Sequence, residues 1–153
     1  MSSKEQIISL AKELRQKFAS PNQPLQETFE KIFANKGITV QYEEYGEHAK
    51  HEANRWTITL PLNTPKVRDN FTIAHELGHI IIGHELDKDK TVHRNGNKTR
   101  EEFEANWFAA EFLMPEDEFS QAARECNFDE RKLAEKFEVS RAAALVRLSA
   151  LNL

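Results

Sequence analysis

Cysteine is nearly missing: Cys126 is the only one in 153 residues. A single thiol excludes an intrachain disulfide and offers no cysteine pair for a zinc ribbon, and it fits a reducing, cytoplasmic setting. Long apolar runs are missing too. The longest purely aliphatic stretch is Ile80-Ile81-Ile82, far short of the roughly 20 residues a membrane-spanning helix needs. Charges repeatedly interrupt Met1 to Phe18, so no secretory signal is expected. Nor is there a basic excess, since 21 Lys and Arg stand against 25 Asp and Glu for a net charge of −4. The two signs are interspersed and leave no basic face, so neither a nucleic acid nor a membrane is an expected partner. Repeats, low-complexity tracts and linkers are absent from the sequence as well. What remains is 30% charged and 39% hydrophobic, the balance of an ordinary globular chain. One unit over residues 1–153 is expected.

Periodicity divides the chain into elements. Ile7, Leu10, Ala11, Leu14 and Phe18 recur at helical spacing, and Ser20 to Pro24 breaks that helix. A second helix over about 25–35 ends at Asn35-Lys36-Gly37. Residues 38–42 and 56–60 alternate and are rich in β-branched and aromatic side chains, so two strands are predicted. The polar stretch 45–54 between them reads as a loop. A helix over about 65–83 follows, with Thr64 as a candidate cap, Pro65 in the first turn and Gly83 at its end. Residues 85–100 read as an exposed loop. Further helices are expected over 99–114, ending before Pro115, over 116–126, and as two short ones within 129–150, divided at Val139-Ser140.

The chemistry concentrates in His75-Glu76-Leu77-Gly78-His79. On a helix, two imidazoles four residues apart lie about 40° from each other and one turn apart. Both can reach one ion, and Glu76 can reach a water bound to it. This is the H-E-x-x-H arrangement of zinc hydrolases, with the glutamate as general base. Gly78 costs about 1 kcal/mol relative to alanine inside a helix, which points to a close approach by another helix or by substrate.

A catalytic zinc keeps three protein ligands and an open position, so a third donor must lie elsewhere. The helix from Arg100 to Met114 carries four glutamates. At about 100° per residue, Glu101, Glu104 and Glu111 share a stripe read as the solvent face. Glu102 lies opposite, in line with Asn106, Ala109 and Leu113. A carboxylate aimed into a core needs a metal or a paired cation. Glu102 is therefore the candidate third ligand, an internal pair with Arg or Lys being the alternative, and Asn106 is placed to hold a ligating histidine by its other ring nitrogen.

The block Phe71-Thr72-Ile73-Ala74-His75-Glu76-Leu77-Gly78-His79, followed by Glu102-Phe103-Glu104-Ala105-Asn106-Trp107-Phe108-Ala109-Ala110-Glu111-Phe112-Leu113-Met114-Pro115, resembles the ImmA/IrrE family of metallopeptidases. The close match spans about residues 67–119. The resemblance implies His75, His79 and Glu102 as metal ligands and Glu76 as catalytic base. It also implies a helix-turn-helix repressor as substrate, as in phage or mobile-element anti-repressors and stress responses. The fold class expected is α+β: a small antiparallel sheet, gluzincin-like active-site helices and a helical carboxyl-terminal region. The expected cofactor is Zn²⁺, although Mn²⁺ or another divalent ion fits the same donors. Its residual charge would lower the pKa of bound water toward roughly 7, and the strand at 56–60 would offer an edge for an extended peptide.

Other residues invite weaker readings. His84 lies about 140° from His79 on a continued helix, so it is read as a helix-end cap and not a ligand. His93 is either an oxyanion donor or a surface histidine, with the latter favoured. His48 and His51 receive no role. Tyr42 and Tyr45 are candidate transition-state donors, the alternative being one in the core and the other at the rim. Cys126 reads as a small apolar filler.

Two other functions compete. Residues 133–148 resemble a helix-turn-helix, which would make the chain a DNA-binding regulator. Against this, Glu138 stands where glycine is usual in the turn, Arg141-Ala142-Ala143-Ala144-Leu145-Val146 offers little to read bases, and nearby acids offset the basic residues. The other is a metal-free interaction module that retains the motif as a relic.

Overall fold

A computed structural model of the chain describes residues 3–44, 48–52, 54–84 and 99–153. Helix α1 (Lys4–Phe18) starts in a capping box in which Ser3 Oγ accepts the Gln6 backbone N–H and Gln6 Oε1 accepts that of Ser3. It buries Ile7, Ala11 and Leu14 along one stripe. Helix α2 (Leu25–Lys36) follows Pro24 and closes at Gly37 in the left-handed region.

Among the described residues, three strands form a sheet, β1 (Ile38–Glu43), β2 (His48–Glu52) and β3 (Arg55–Pro61), in the order β1-β3-β2. The expected two-stranded antiparallel sheet is thus corrected to a mixed one. The two strands anticipated from their alternation, β1 and β3, run parallel, pairing Ile38 with Trp56 and Tyr42 with Leu60. The reason is β2, which occupies the stretch expected to be a loop. It carries the chain back and pairs antiparallel with β3, so β3 resumes the direction of β1. An edge strand needs little apolar sequence. Ala49 is buried opposite Ile58, His51 stacks on Trp56 at 4.0 Å, and Lys50 pairs with Glu52. It follows that β3 is the central strand and presents no free edge.

Helix α3 (Lys66–Ile82) begins after Pro65, without a side-chain cap. Thr64 does not fill that role, because its hydroxyl is turned to the Pro61 carbonyl and the Asp69 carboxylate. Gly83 ends α3 at φ +89°. Every residue from Thr72 to Ile80 is buried, as expected of a helix enclosed by neighbours: α3 packs on α4 (Arg100–Leu113), β3, β2 and α1. Gly78 makes that packing possible. A Cβ there would lie 3.1 Å from both Ala105 Cα and Phe108 Cβ.

The remaining chain forms α5 (Glu116–Glu125), α6 (Glu130–Phe137) and α7 (Arg141–Ala150). Asp129 caps α6 and Ser140 caps α7. Phe119, Leu133, Phe137, Val139, Ala144 and Leu148 join the same apolar core as α1 and α3. Polar ties reinforce the junction. Arg147 donates to the Met114 carbonyl at 3.0 Å and to Glu111 at 2.9 Å. Glu138 adopts a left-handed conformation at φ 56°, where glycine would be unstrained. Its carboxylate accepts the Leu25 N–H at the start of α2, and its carbonyl accepts Asn70 Nδ2. A cap of this kind stabilises by about 1 kcal/mol, which offsets a left-handed cost of similar size. Among the described residues, no helix is long and apolar enough to cross a membrane.

Candidate metal centre

The middle of α3 carries His75, Glu76 and His79, all with no exposed surface. Glu102 reaches them from the first turn of α4, where Thr99 accepts the Glu102 N–H and fixes the helix start. The geometry is tight. His75 Nε2 lies 3.0 Å from Glu102 Oε2, His79 Nε2 lies 2.9 Å from Glu102 Oε1, and the two Nε2 atoms are 3.2 Å apart. His75 Nδ1 is 2.8 Å from Asn106 Oδ1.

These contacts dictate tautomers. An amide oxygen only accepts, so the proton of neutral His75 sits on Nδ1 and its Nε2 carries a lone pair. That lone pair faces a carboxylate oxygen and the Nε2 of His79. With neutral imidazoles, three acceptors converge on one point, an arrangement relieved by a cation or an added proton. Donors bound tetrahedrally to an ion at about 2.0–2.1 Å lie roughly 3.3 Å apart. The observed edges of 2.9–3.2 Å are close to that spacing, so the residues fit a small divalent ion. Burial, and then the charge of His75, push the His79 pKa down to about 3, which keeps its lone pair free. Among the described residues, His75, His79 and Glu102 are the one group of three metal-donor side chains close enough to share an ion.

The structure corrects the helical-phase reading of α4 in two respects. Glu104 and Glu111 do not face solvent; they are 5% and 1% exposed. Helix α4 packs against both α3 and α1, so its buried arc is wide, with Glu102 at one margin and Glu104 and Glu111 at the other. Glu104 and Glu111 each have a cation: Arg147 meets Glu111, and Arg100 meets Glu104. The outer face instead carries Phe103 and Asn106. Asn106 thus holds His75 from an exposed margin, whereas the phase argument put it in line with Glu102, Ala109 and Leu113 on the inward face.

His84 is the functional neighbour that sequence reasoning missed. Its Nδ1 lies 2.8 Å from His79 Nδ1, and its Nε2 lies 2.8 Å from Glu104 Oε1. Extrapolating the helix beyond Gly83 misplaced it. The left-handed glycine turns the chain back, and the His84 N–H donates to the His79 carbonyl. The expected capping is therefore made by the backbone while the ring turns inward. A glycine one residue before a histidine was the available signal. Tyr42 is 56% exposed, and Tyr45 and His93 lie outside the described residues.

Residues 33–149 match the peptidase M78 family, described as the IrrE N-terminal-like domain. The chain belongs to that family. The match is wider than the motif blocks and takes in the sheet and helices α5 to α7. Membership in this metallopeptidase family points to a bound metal and a protein substrate. Among solved structures, a Mycobacterium tuberculosis transcriptional regulator is similar at a TM-score of 0.72 and 19% identity. The similarity covers 95% of this chain and 46% of the regulator, so this M78 member spans less than half that protein's length. At this identity the likeness speaks for the fold. A search of curated proteins finds no match.

Proposed function

We propose that this chain is a zinc-dependent endopeptidase that cuts a specific regulatory protein, a helix-turn-helix repressor, and so releases the genes it silences. His75, His79 and Glu102 would hold the ion, with Asn106 orienting His75. The single observation carrying this reading is the convergence of three buried acceptors, two imidazole nitrogens and a carboxylate, 2.9–3.2 Å apart. When bound, Zn²⁺ polarises the scissile carbonyl and acidifies a water. Glu76, on the same turn of α3 and fully buried, takes the proton from the attacking water and delivers it to the leaving amine. The full burial of His75, Glu76 and His79 keeps bulk water away and strengthens these electrostatic interactions. The family supports a peptidase, and the likeness to a transcriptional regulator agrees with a place in gene control. A cytoplasmic setting fits both the lone cysteine and a repressor substrate.

The test is to assay purified protein of measured metal content against repressors encoded beside its gene. Site-specific cleavage that disappears in Glu76→Gln, with metal retained, is expected. Cleavage that survives in Glu76→Gln refutes the mechanism, and absence of metal from the purified protein refutes the site. Glu102→Gln is expected to release the ion.

A further inference from the structure

The two candidate ligand histidines are held differently. His75 rests on a neutral amide at an exposed margin. His79 rests on a chain of buried groups that ends in a charge: its Nδ1 is 2.8 Å from His84 Nδ1, His84 Nε2 is 2.8 Å from Glu104 Oε1, and Arg100 Nε is 2.9 Å from Glu104 Oε2. The His84 and Glu104 side chains are 7% and 6% exposed. The Arg100 guanidinium also lies 4.9 Å over the Trp107 ring, so the far end of the chain is fixed to α4 by two contacts.

We propose that His84 is a positioning residue for His79, oriented in turn by Glu104 and Arg100. It would set both the ring orientation and the donor strength of the second ligand histidine. This rests on the metallopeptidase reading above. The hydrogen-bond roles allow one consistent assignment with neutral rings. Ionised Glu104 accepts only, so His84 carries its proton on Nε2 and presents a bare Nδ1. That nitrogen accepts the Nδ1 proton of His79, which leaves the Nε2 lone pair of His79 directed at the ion site. Negative charge on Glu104 polarises the intervening ring and makes the His79 lone pair a better donor, as carboxylate–histidine–metal chains do through one ring fewer. Gly83 is what makes the chain possible. Its left-handed turn brings residue 84 back beside residue 79, where a continued helix would carry it away.

Two substitutions separate the halves of the relay. In His84→Asn the amide oxygen occupies the place of Nδ1 and can still accept from His79, although the link to Glu104 is lost. In His84→Gln the amide nitrogen occupies the place of Nε2 and can still donate to Glu104, but nothing accepts from His79. The measurements are Zn²⁺ affinity by competition with a chelating dye, the visible spectrum of Co²⁺-loaded protein, and the Tm of metal-free protein. Wild type should bind one ion. His84→Gln should bind about 10–100-fold more weakly with an altered Co²⁺ spectrum, while His84→Asn should retain most of the affinity. Wild-type affinity and spectrum in His84→Gln overturn the proposal and leave the metal site standing. So do equal losses in both variants that track the drop in metal-free Tm, since that marks a packing role. Failure of wild type to bind either ion overturns both readings.

Discussion

Gly78→Ala adds one methyl group where α3 and α4 touch, and its effect can be worked through in two stages. Alanine in a helix is favoured over glycine by about 1 kcal/mol, so at an open site this change would stabilise. Here the new Cβ would sit 3.1 Å from Ala105 Cα and Phe108 Cβ and 3.2 Å from the Ala105 carbonyl oxygen. Two of those three atoms are backbone and cannot rotate aside. Overpacking of this kind costs about 1–3 kcal/mol, so the net loss should be roughly 0–2 kcal/mol, and each kcal/mol lowers Tm by roughly 2–4 °C at this chain length. The larger consequence is local. Relief requires α4 to move away from α3, and Glu102 rides on α4 one turn before Ala105 while both histidines stay on α3. The donor triangle opens, and metal affinity should fall on the order of tenfold, out of proportion to the stability change. Urea unfolding of the metal-free protein and a metal-competition titration read the two effects separately. A variant about 1 kcal/mol more stable than wild type, with unchanged metal affinity, would refute the close-contact argument.

Arg147→Met leaves the Glu111 carboxylate buried without its cation and should cost about 3–5 kcal/mol in urea unfolding, while adding Glu111→Gln should recover much of that loss. Equal instability of the single and double variants would show that the ion pair is not what holds α7. The metal-free protein should lose stability as pH falls from about 6.5 toward 3. The His79 pKa is lowered to about 3 in the fold, so the unfolded chain takes up that proton first. Replacing His79 with Gln should flatten this part of the stability–pH curve, and an unchanged slope would remove His79 as its source. The isolated protein should give no salt-sensitive mobility shift with DNA, because Arg147 is turned into the core and Arg141 is paired with Glu130. A shift that weakens with salt would restore the regulator reading.

The local elements were legible because their signals are local. Pro24, Gly37, Gly83 and Ser140 mark helix boundaries through their own backbone and side-chain chemistry, and a spacing of four residues brings His75 and His79 together on any helix. Glu102 was singled out on the premise that it alone turned inward; the structure brings it to both histidines, but it buries Glu104 and Glu111 as well. Where a signal depends on what lies across a gap, the sequence falls short. A five-residue edge strand such as β2, which buries Ala49 and leaves Lys50 and Glu52 exposed, reads as a polar loop until β3 lies beside it. The parallel direction of β1 and β3 follows from that strand and from nothing within either.

The same division runs through the candidate metal centre. The sequence by itself determined that His75, Glu76 and His79 share one helix and that Glu102 lies on another, because periodicity along one helix is a property of the chain. Only the tertiary structure decided that Glu104 and Glu111 point inward. Their burial depends on α4 being covered by both α3 and α1, and on Arg100 and Arg147 arriving to balance the charge. Only the tertiary structure brought His84 to His79, through a glycine whose left-handed turn ends the helical phase on which a sequence argument relies.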